Sequence, residues 1–211
     1  IVIEVSERVT VLRRGQVSAR LATVDTTEKS LAREMVGREV IFRMKQIEVE
    51  TGKSILRVEN LSALNDKDVL ALKGVSFTVQ EGEIFGIAGV SGNGQQVLAE
   101  VLAGLRKPQG GKAILDGTDI THISSLDRWL NGMGYIPSDR VDVGSIGDFS
   151  LVENVTMNYY FDNQFSKGGI VDYQGLRKLT KELISEYDVA APSPETTAKS
   201  LSGGNLQKLI L

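Results

Sequence analysis

The stretch Ile84-Phe85-Gly86-Ile87-Ala88-Gly89-Val90-Ser91-Gly92-Asn93-Gly94-Gln95-Gln96 decides the fold. Residues 84–89 are apolar or glycine with no polar alternation, the pattern of a strand buried on both faces of a parallel sheet. Beyond it, Val97, Val101 and Leu105 recur four apart with Leu98 and Leu102 beside them, which predicts an amphipathic helix. Strand, glycine turn and helix in that order form the βα unit of a nucleotide-binding α/β fold.

The turn itself, Gly89 to Gln96, carries chemistry. Glycines let a backbone curl so that successive N–H groups converge on a phosphate, and the helix N-terminus adds its dipole. A working phosphate loop ends in Gly-Lys-[Ser/Thr], where the lysine neutralises phosphate charge and the hydroxyl holds Mg²⁺. Here Gly94 is followed by Gln95 and Gln96. An amide brings no charge and replaces the hydroxyl poorly, so the sequence predicts weak or Mg²⁺-independent nucleotide binding and little phosphoryl transfer. Read alone, the loop also fits a glycine-rich turn that holds nothing. Its candidate nucleotide-binding residues are Gly89, Ser91, Gly92, Asn93, Gly94, Gln95 and Gln96.

Outward from the loop, Ile55–Asn60 and Val75–Val79 read as strands and Glu81-Gly82-Glu83 as a turn. Towards the N-terminus, residues 8–21 alternate about Arg14-Gly15-Gln16, as a hairpin does. Asp25 to Glu28 looks like a capping box opening a helix with Leu31, Met35 and Val36, stopped by Gly37. Periodicity is then lost among Arg43, Lys45, Glu48, Glu50 and Lys53, which marks a domain boundary. Later, Asp172 is placed to cap a helix bearing Leu176, Leu179, Leu183 and Tyr187, and 190–197 is a loop with Pro192 and Pro194.

Composition narrows the function. The 211 residues carry 24 basic and 27 acidic side chains, a net charge of −3, with 41% hydrophobic and 24% charged residues. That is a globular composition, and a slightly acidic one argues against nucleic acid as a partner. Without cysteine there is no disulfide framework or thiolate metal site, and one histidine, His122, builds neither a histidine metal cluster nor a Ser-His-Asp triad with spare ligands. His122 reads as a surface residue and Trp129 as part of the packing of the nucleotide-binding part. Tyr159, Tyr160 and Phe161 read as helix packing rather than base stacking. The longest apolar run, 84–90, falls far short of the roughly 20 residues of a membrane helix. The absence of an initial Met and the apolar run 208–211 are read as marks of a piece of a longer polypeptide.

A second motif follows the first by a little over a hundred residues: Leu201-Ser202-Gly203-Gly204-Asn205-Leu206-Gln207-Lys208. Ser202 is a good N-cap, and the glycines expose amides at a helix start, able to grip a terminal phosphate held by another subunit.

With both motifs in hand, the chain resembles the ATP-binding subunits of ATP-binding-cassette (ABC) importers. The likeness runs through most of 55–211 and includes the hairpin region 105–120, Gly134-Tyr135-Ile136-Pro137-Ser138-Asp139-Arg140, and Ser150-Leu151-Val152-Glu153-Asn154. The Pro-x-Asp-Arg form with a Gly-Asn-Gly-Gln loop is similar to the second cassette of tandem subunits serving simple-sugar and nucleoside importers. Phe165-Ser166-Lys167-Gly168-Gly169 and Ala191-Pro192-Ser193-Pro194 point to the nucleoside branch. Residues 4–15 resemble the end of a first cassette and 30–38 the helix that closes it.

The resemblance implies an α/β fold of the P-loop NTPase type, with a β-rich subdomain and a helical subdomain from about 148 to 206. It implies 1–41 as the tail of one cassette, 42–54 as linker, and 55–211 as most of a second. It also implies that Leu201, Ser202, Gly203, Gly204 and Asn205 complete, in trans, the ATP site of the other cassette, and that Ser138 and Asp139 form the Q-loop region. The implied cofactors are ATP and Mg²⁺, the latter weak or absent at this cassette. Implied partners are transmembrane permease subunits, the first cassette or a second copy, and indirectly a solute-binding lipoprotein, at the cytoplasmic face of the membrane. Departures are Leu206 in place of Gln, no aromatic residue between Leu61 and Leu72 to stack a base, and Ser138 at the Q-loop glutamine. The family's Walker B strand, D-loop and switch histidine are expected beyond Leu211, so no catalytic residue is assigned here and an exposed apolar sheet edge is expected. Residues 135–160 are expected to face the membrane partner, with 144–154 around the coupling contact and Glu153 and Asn154 equally readable as a helix cap. The alternatives are a non-hydrolysing sensing or structural cassette and a soluble ABC protein of nucleic acid. A small-molecule kinase has no use for Leu-Ser-Gly-Gly.

Overall fold

The computed structural model describes residues 2–13, 15–37 and 50–211, which fall in two compact units, 1–50 and 51–211. The expected boundary at 41 and most of the linker 42–54 lie outside the described residues.

In the first unit a helical turn, α1 (Val2–Val5), precedes the hairpin β1 (Arg8–Arg13) and β2 (Gln16–Ala22), antiparallel with Val9 opposite Leu21 and a bulge at Val11/Leu12. Helix α2 (Glu28–Val36) ends at Gly37 in the left-handed conformation, φ 78°. Its capping box is built by Thr27 and Ser30, each side chain meeting the other's amide. The expected pair, Asp25 and Glu28, does not form it, because Asp25 belongs to the preceding 3₁₀ turn and the helix starts later than the box requires.

The second unit has a β-rich part and a helical part. Strands β3 (Ser54–Leu64), β4 (Leu70–Gln80), β5 (Gly110–Leu115) and β6 (Thr118–Asp119) form one antiparallel sheet in the order β4-β3-β5-β6. Alternation, with an irregularity between Val58 and Leu61 that resets it, puts Val58, Leu61, Ala63 and Leu72 on its covered face, where Val97, Leu98 and Val101 of helix α3 (Gln95–Ala103) pack on them. Leu105, expected on the same stripe, lies past the helix and is exposed, because Gly104 (φ 80°) ends α3. Helix α4 (Ser125–Leu130) follows the sheet.

The helical part contains α5 (Leu151–Tyr159), the short hairpin β7 (Ser166–Lys167) and β8 (Ile170–Val171), α6 (Tyr173–Glu186) and α7 (Gly203–Ile210). Asp172 caps α6 through Gly175 N–H, as predicted. Two apolar clusters hold this part, one around Leu151, Ala198 and Leu206, the other around Val152, Phe165 and Leu176. Tyr159 packs edge-on to Phe165, and Tyr160 to Phe161. Trp129 does not pack into the β-rich part as expected. It is 43% exposed and meets Phe161 edge-on at 4.9 Å, turned towards the helical part. His122 is exposed.

Ser150 and Glu153 form a reciprocal capping box on α5, so Glu153 is a cap residue. Asn154 instead is buried and pins the preceding loop. It accepts from Ile146 N–H at 2.9 Å and donates to the carbonyls of Ile146 and Ser150 at 3.1 and 3.0 Å. Asn154→Ala takes the acceptor from Ile146 N–H, while the Ile146 and Ser150 carbonyls keep the backbone amides of Phe149 and Asn154, and we expect a loss of about 2 kcal/mol in a thermal or urea melt. A loss below about 0.5 kcal/mol would show that the loop closes without it.

The expectation of a buried parallel strand at 84–89 is corrected. The segment belongs to no strand, Ile84 is 95% exposed, and Phe85 stacks on Phe77 at 5.1 Å. A strand of this composition needs neighbours on both sides to cover its faces and pair its amides, and no described segment pairs with it. Its large apolar residues Ile84, Phe85 and Ile87 are therefore exposed.

Candidate functional site

The loop at 89–96 is shaped by its glycines. Gly92 and Gly94 have φ of 92° and 98°, the left-handed region that side chains disfavour. A Cβ on Gly94 would lie 2.9 Å from the carbonyl oxygen of Ala71, so the loop sits directly on β4. Gly94 is also the N-cap of α3 and has no side chain to offer its first-turn amides. An anion can take that place.

The two glutamines occupy the positions where a phosphate loop needs charge and hydroxyl. Gln95 folds back over Gly89, where a Cβ would come within 2.2 Å of its Nε2. Gln96 donates its amide to Glu100 Oε1 at 2.9 Å. A cavity of ≈ 180 Å³ adjoins the loop, walled by Gly92, Gly94, Gln95 and Gln96 on one side and by Asp66, Glu100 and Arg106 on the other. Arg106 donates to Glu100 Oε2 at 2.8 Å, to the Leu64 carbonyl at 3.0 Å and to Asp66. The hydrogen bonds it donates to Asp66, then Glu100, hold its pKa above the ordinary arginine value. Two carboxylates against one guanidinium leave this wall with excess negative charge, unfavourable to a polyphosphate. Gln96 supplies no hydroxyl at the position where a phosphate loop holds Mg²⁺.

Ser138 and Asp139 lie beside the loop. With Gln96, Arg140, Val141 and Val143 they border a second hollow of ≈ 530 Å³. Asp139 Oδ1 accepts from the amides of Val141 and Asp142, both at 3.0 Å, which closes a tight turn.

The second motif forms the start of α7. Ser202 takes the N-cap position, but its hydroxyl caps no backbone amide, contrary to expectation. Its Oγ accepts instead from Asn205 Nδ2 at 2.8 Å, and Asn205 Oδ1 accepts from Ala190 N–H at 2.8 Å. The side-chain amide at the helix's third position wins the oxygen from the backbone. Ser202 keeps its own proton to donate, and Gly203 and Gly204 stay exposed. Residues 201–205 border neither hollow beside the 89–96 loop. The structure thus joins the loop to 138–139, and leaves 201–204 facing outward.

Sequence reasoning missed Arg106, Glu100 and Arg128, and left Arg140 undecided. Arg106, Arg128 and Arg140 act through partners distant in sequence, whereas Glu100 meets Gln96 and Arg106 only four and six residues away.

The family model described as ABC transporter matches residues 72–211. The chain is 44% identical to the glucose import ATP-binding protein TsgD13 of Haloferax volcanii, over 98% of this chain and 38% of that protein. It is 37% identical to the guanosine import ATP-binding protein NupO of Bacillus subtilis, over 98% of this chain and 41% of that one. It therefore spans about two fifths of the length of the curated relatives it matches. Among solved structures, the ATP-binding cassette MJ0796, a dimer bound to ADP and Pi, aligns with a TM-score of 0.59 at 20% identity, over 74% of this chain and 67% of that one. The cassette MJ1267 aligns at 0.57 and 22% identity, over 74% and 62%. These likenesses establish the cassette fold.

Proposed function

The chain belongs to the ABC transporter family, and on that premise we propose that it serves in the ATP-binding, energy-coupling subunit of an importer of nucleosides or simple sugars. Residues 1–41 are the tail of one cassette and 55–211 most of a second. The named activities of the relatives, glucose and guanosine import, support the solute class.

The observation that carries the mechanism is the asymmetry between the two motifs. The 89–96 loop has the glycine geometry of a phosphate cradle, yet Gln95 lies across Gly89, Gln96 is tied to Glu100, and the adjoining wall is acidic. This is a degenerate site. The 202–204 segment is the opposite case, with a serine proton and glycine amides at a helix start turned outward. It completes the hydrolytic ATP site on the other cassette. Two cassettes then close head to tail on nucleotide, and the closure is passed to transmembrane permease subunits at the cytoplasmic face of the membrane. A solute-binding lipoprotein acts upstream. Among the described residues no helix is long and apolar enough to cross a membrane.

The degenerate site is tested by restoring it. In Gln95→Lys with Gln96→Thr, the lysine adds charge-assisted hydrogen bonds worth about 1.5–3 kcal/mol and the threonine supplies a hydroxyl for Mg²⁺. We expect ATP affinity at this loop to rise by about tenfold or more, with the gain removed by EDTA, while wild-type binding is weak and insensitive to it. Tight, Mg²⁺-dependent binding by the wild type would contradict the degenerate assignment.

A further inference from the structure

Arg140 directly follows the Ser138–Asp139 pair and stands in a turn that closes on itself. Asp139 Oδ1 gathers the amides of Val141 and Asp142, the Asp139 carbonyl accepts from Gly144 N–H at 3.0 Å, and Ser145 Oγ donates to the Arg140 carbonyl at 2.9 Å. The turn lies against α7, since a Cβ on Gly144 would meet Ile210 Cδ1 at 2.7 Å. From there the Arg140 side chain reaches the start of the helix. Its Nη1 donates to the Gly203 carbonyl at 3.1 Å and to Gln207 Oε1 at 3.3 Å.

The Gly203 carbonyl belongs to the same peptide group as the Gly204 N–H. That group is planar, so holding the oxygen also holds the direction of the N–H. Neither glycine has a Cβ to restrict this peptide, which stands exposed in the first turn of the helix. A guanidinium on the carbonyl restrains it with a charge-assisted bond and, by polarising the amide, makes its N–H a better donor. The other side of the same turn borders the hollow shared with Gln96.

We propose that Arg140 is a positioning residue for the phosphate-gripping face of 202–204. It fixes the Gly203–Gly204 peptide in the orientation that a terminal phosphate requires, and it ties that orientation to the turn beside the 89–96 loop. This rests on the reading of 201–205 as completing an ATP site in trans.

The test is ATP hydrolysis by the assembled importer containing this chain, with Ser202→Arg as the marker of that reading. Arg140→Met keeps the length of the side chain and removes its donors. We expect it to lower kcat by about tenfold while KM for ATP changes by less than about threefold, because ground-state ATP is held by the other cassette's loop. Both hydrogen bonds leave from one nitrogen, so Arg140→Lys, with three donors on one nitrogen, should recover activity to within about threefold of wild type. Arg140 is exposed, and neither variant should move the melting temperature by more than about 2 °C. If Ser202→Arg abolishes hydrolysis but Arg140→Met stays within twofold of wild type, the positioning role is overturned and the trans reading stands. Equal losses in Arg140→Met and Arg140→Lys also overturn it. If Ser202→Arg leaves turnover intact, the underlying reading itself fails.

Discussion

Arg128→Met is expected to destabilise the 51–211 unit by about 3 kcal/mol, seen as a lower urea midpoint with an unchanged slope. Arg128 is only 3% exposed, and burial pulls its guanidinium below the ordinary arginine value. Its hydrogen bonds go to main-chain carbonyls: Val101 and Leu102 at 2.5 and 2.7 Å, Thr121 at 3.0 Å and Ile123 at 3.3 Å. The first two are among the last carbonyls of α3, which have no partner within the helix and stand at the negative end of its dipole. A buried cation there completes the helix. Methionine fills comparable volume but removes the donors; the Val101 carbonyl keeps only Gly104 N–H at 3.2 Å and the Leu102 carbonyl loses its guanidinium partner, an unmade bond costing about 1–3 kcal/mol before relaxation. Gly104 is part of the same arrangement, since a Cβ on it would lie 2.9 Å from Arg128 Nε. Because α3 carries the 89–96 loop at its other end, its C-terminal anchor also sets where that loop stands. A loss under about 1 kcal/mol would mean that water reaches these carbonyls.

How much of this was legible depends on the range of the interaction. The hairpin at 8–21, strands β3 and β4, the Asp172 cap and the glycine loop are written in local pattern, and the structure places them where the pattern does. The family and its cassette fold were also readable, because two short motifs at a fixed separation carry far more information than either one. The failures have common physical causes. Residues 84–89 have the composition of a buried strand, but composition speaks of the neighbours a strand needs and cannot supply them. Ser202 is an N-cap by position, yet a side chain three residues on competes for its oxygen. Leu105 continues the helical stripe on paper, and Gly104 stops the helix before it. Arg128 gave no signal because the α3 carbonyls it caps lie 26 to 27 residues away, and Arg140 stood out only within the Pro-x-Asp-Arg form because its acceptors lie 63 to 67 residues away. The acidic wall at Asp66, Glu100 and Arg106 was hidden for the same reason: the Asp66–Arg106 pair spans 40 residues.

Ser202→Arg bears on the whole account. Ser202 Oγ already accepts from Asn205, so its remaining hydrogen-bonding capacity is its proton, directed by a side chain that is itself held by Ala190 N–H. Exposed Gly203 and Gly204 follow at the helix start. Arginine at 202 removes that donor and puts a long side chain into the face that must close on a terminal phosphate, where interactions made only on closure govern kcat. The loss expected is about hundredfold or more, about 2.7 kcal/mol in barrier height. Binding of ATP to the other cassette's own loop does not use this face and should change by less than about threefold. The measurement is ATP binding and steady-state hydrolysis by the assembled importer, wild type against Ser202→Arg. Collapse of hydrolysis with ATP binding intact is the predicted result. Unchanged turnover, or an importer that hydrolyses no ATP at all, would contradict it and leave 55–211 as a structural or sensing module.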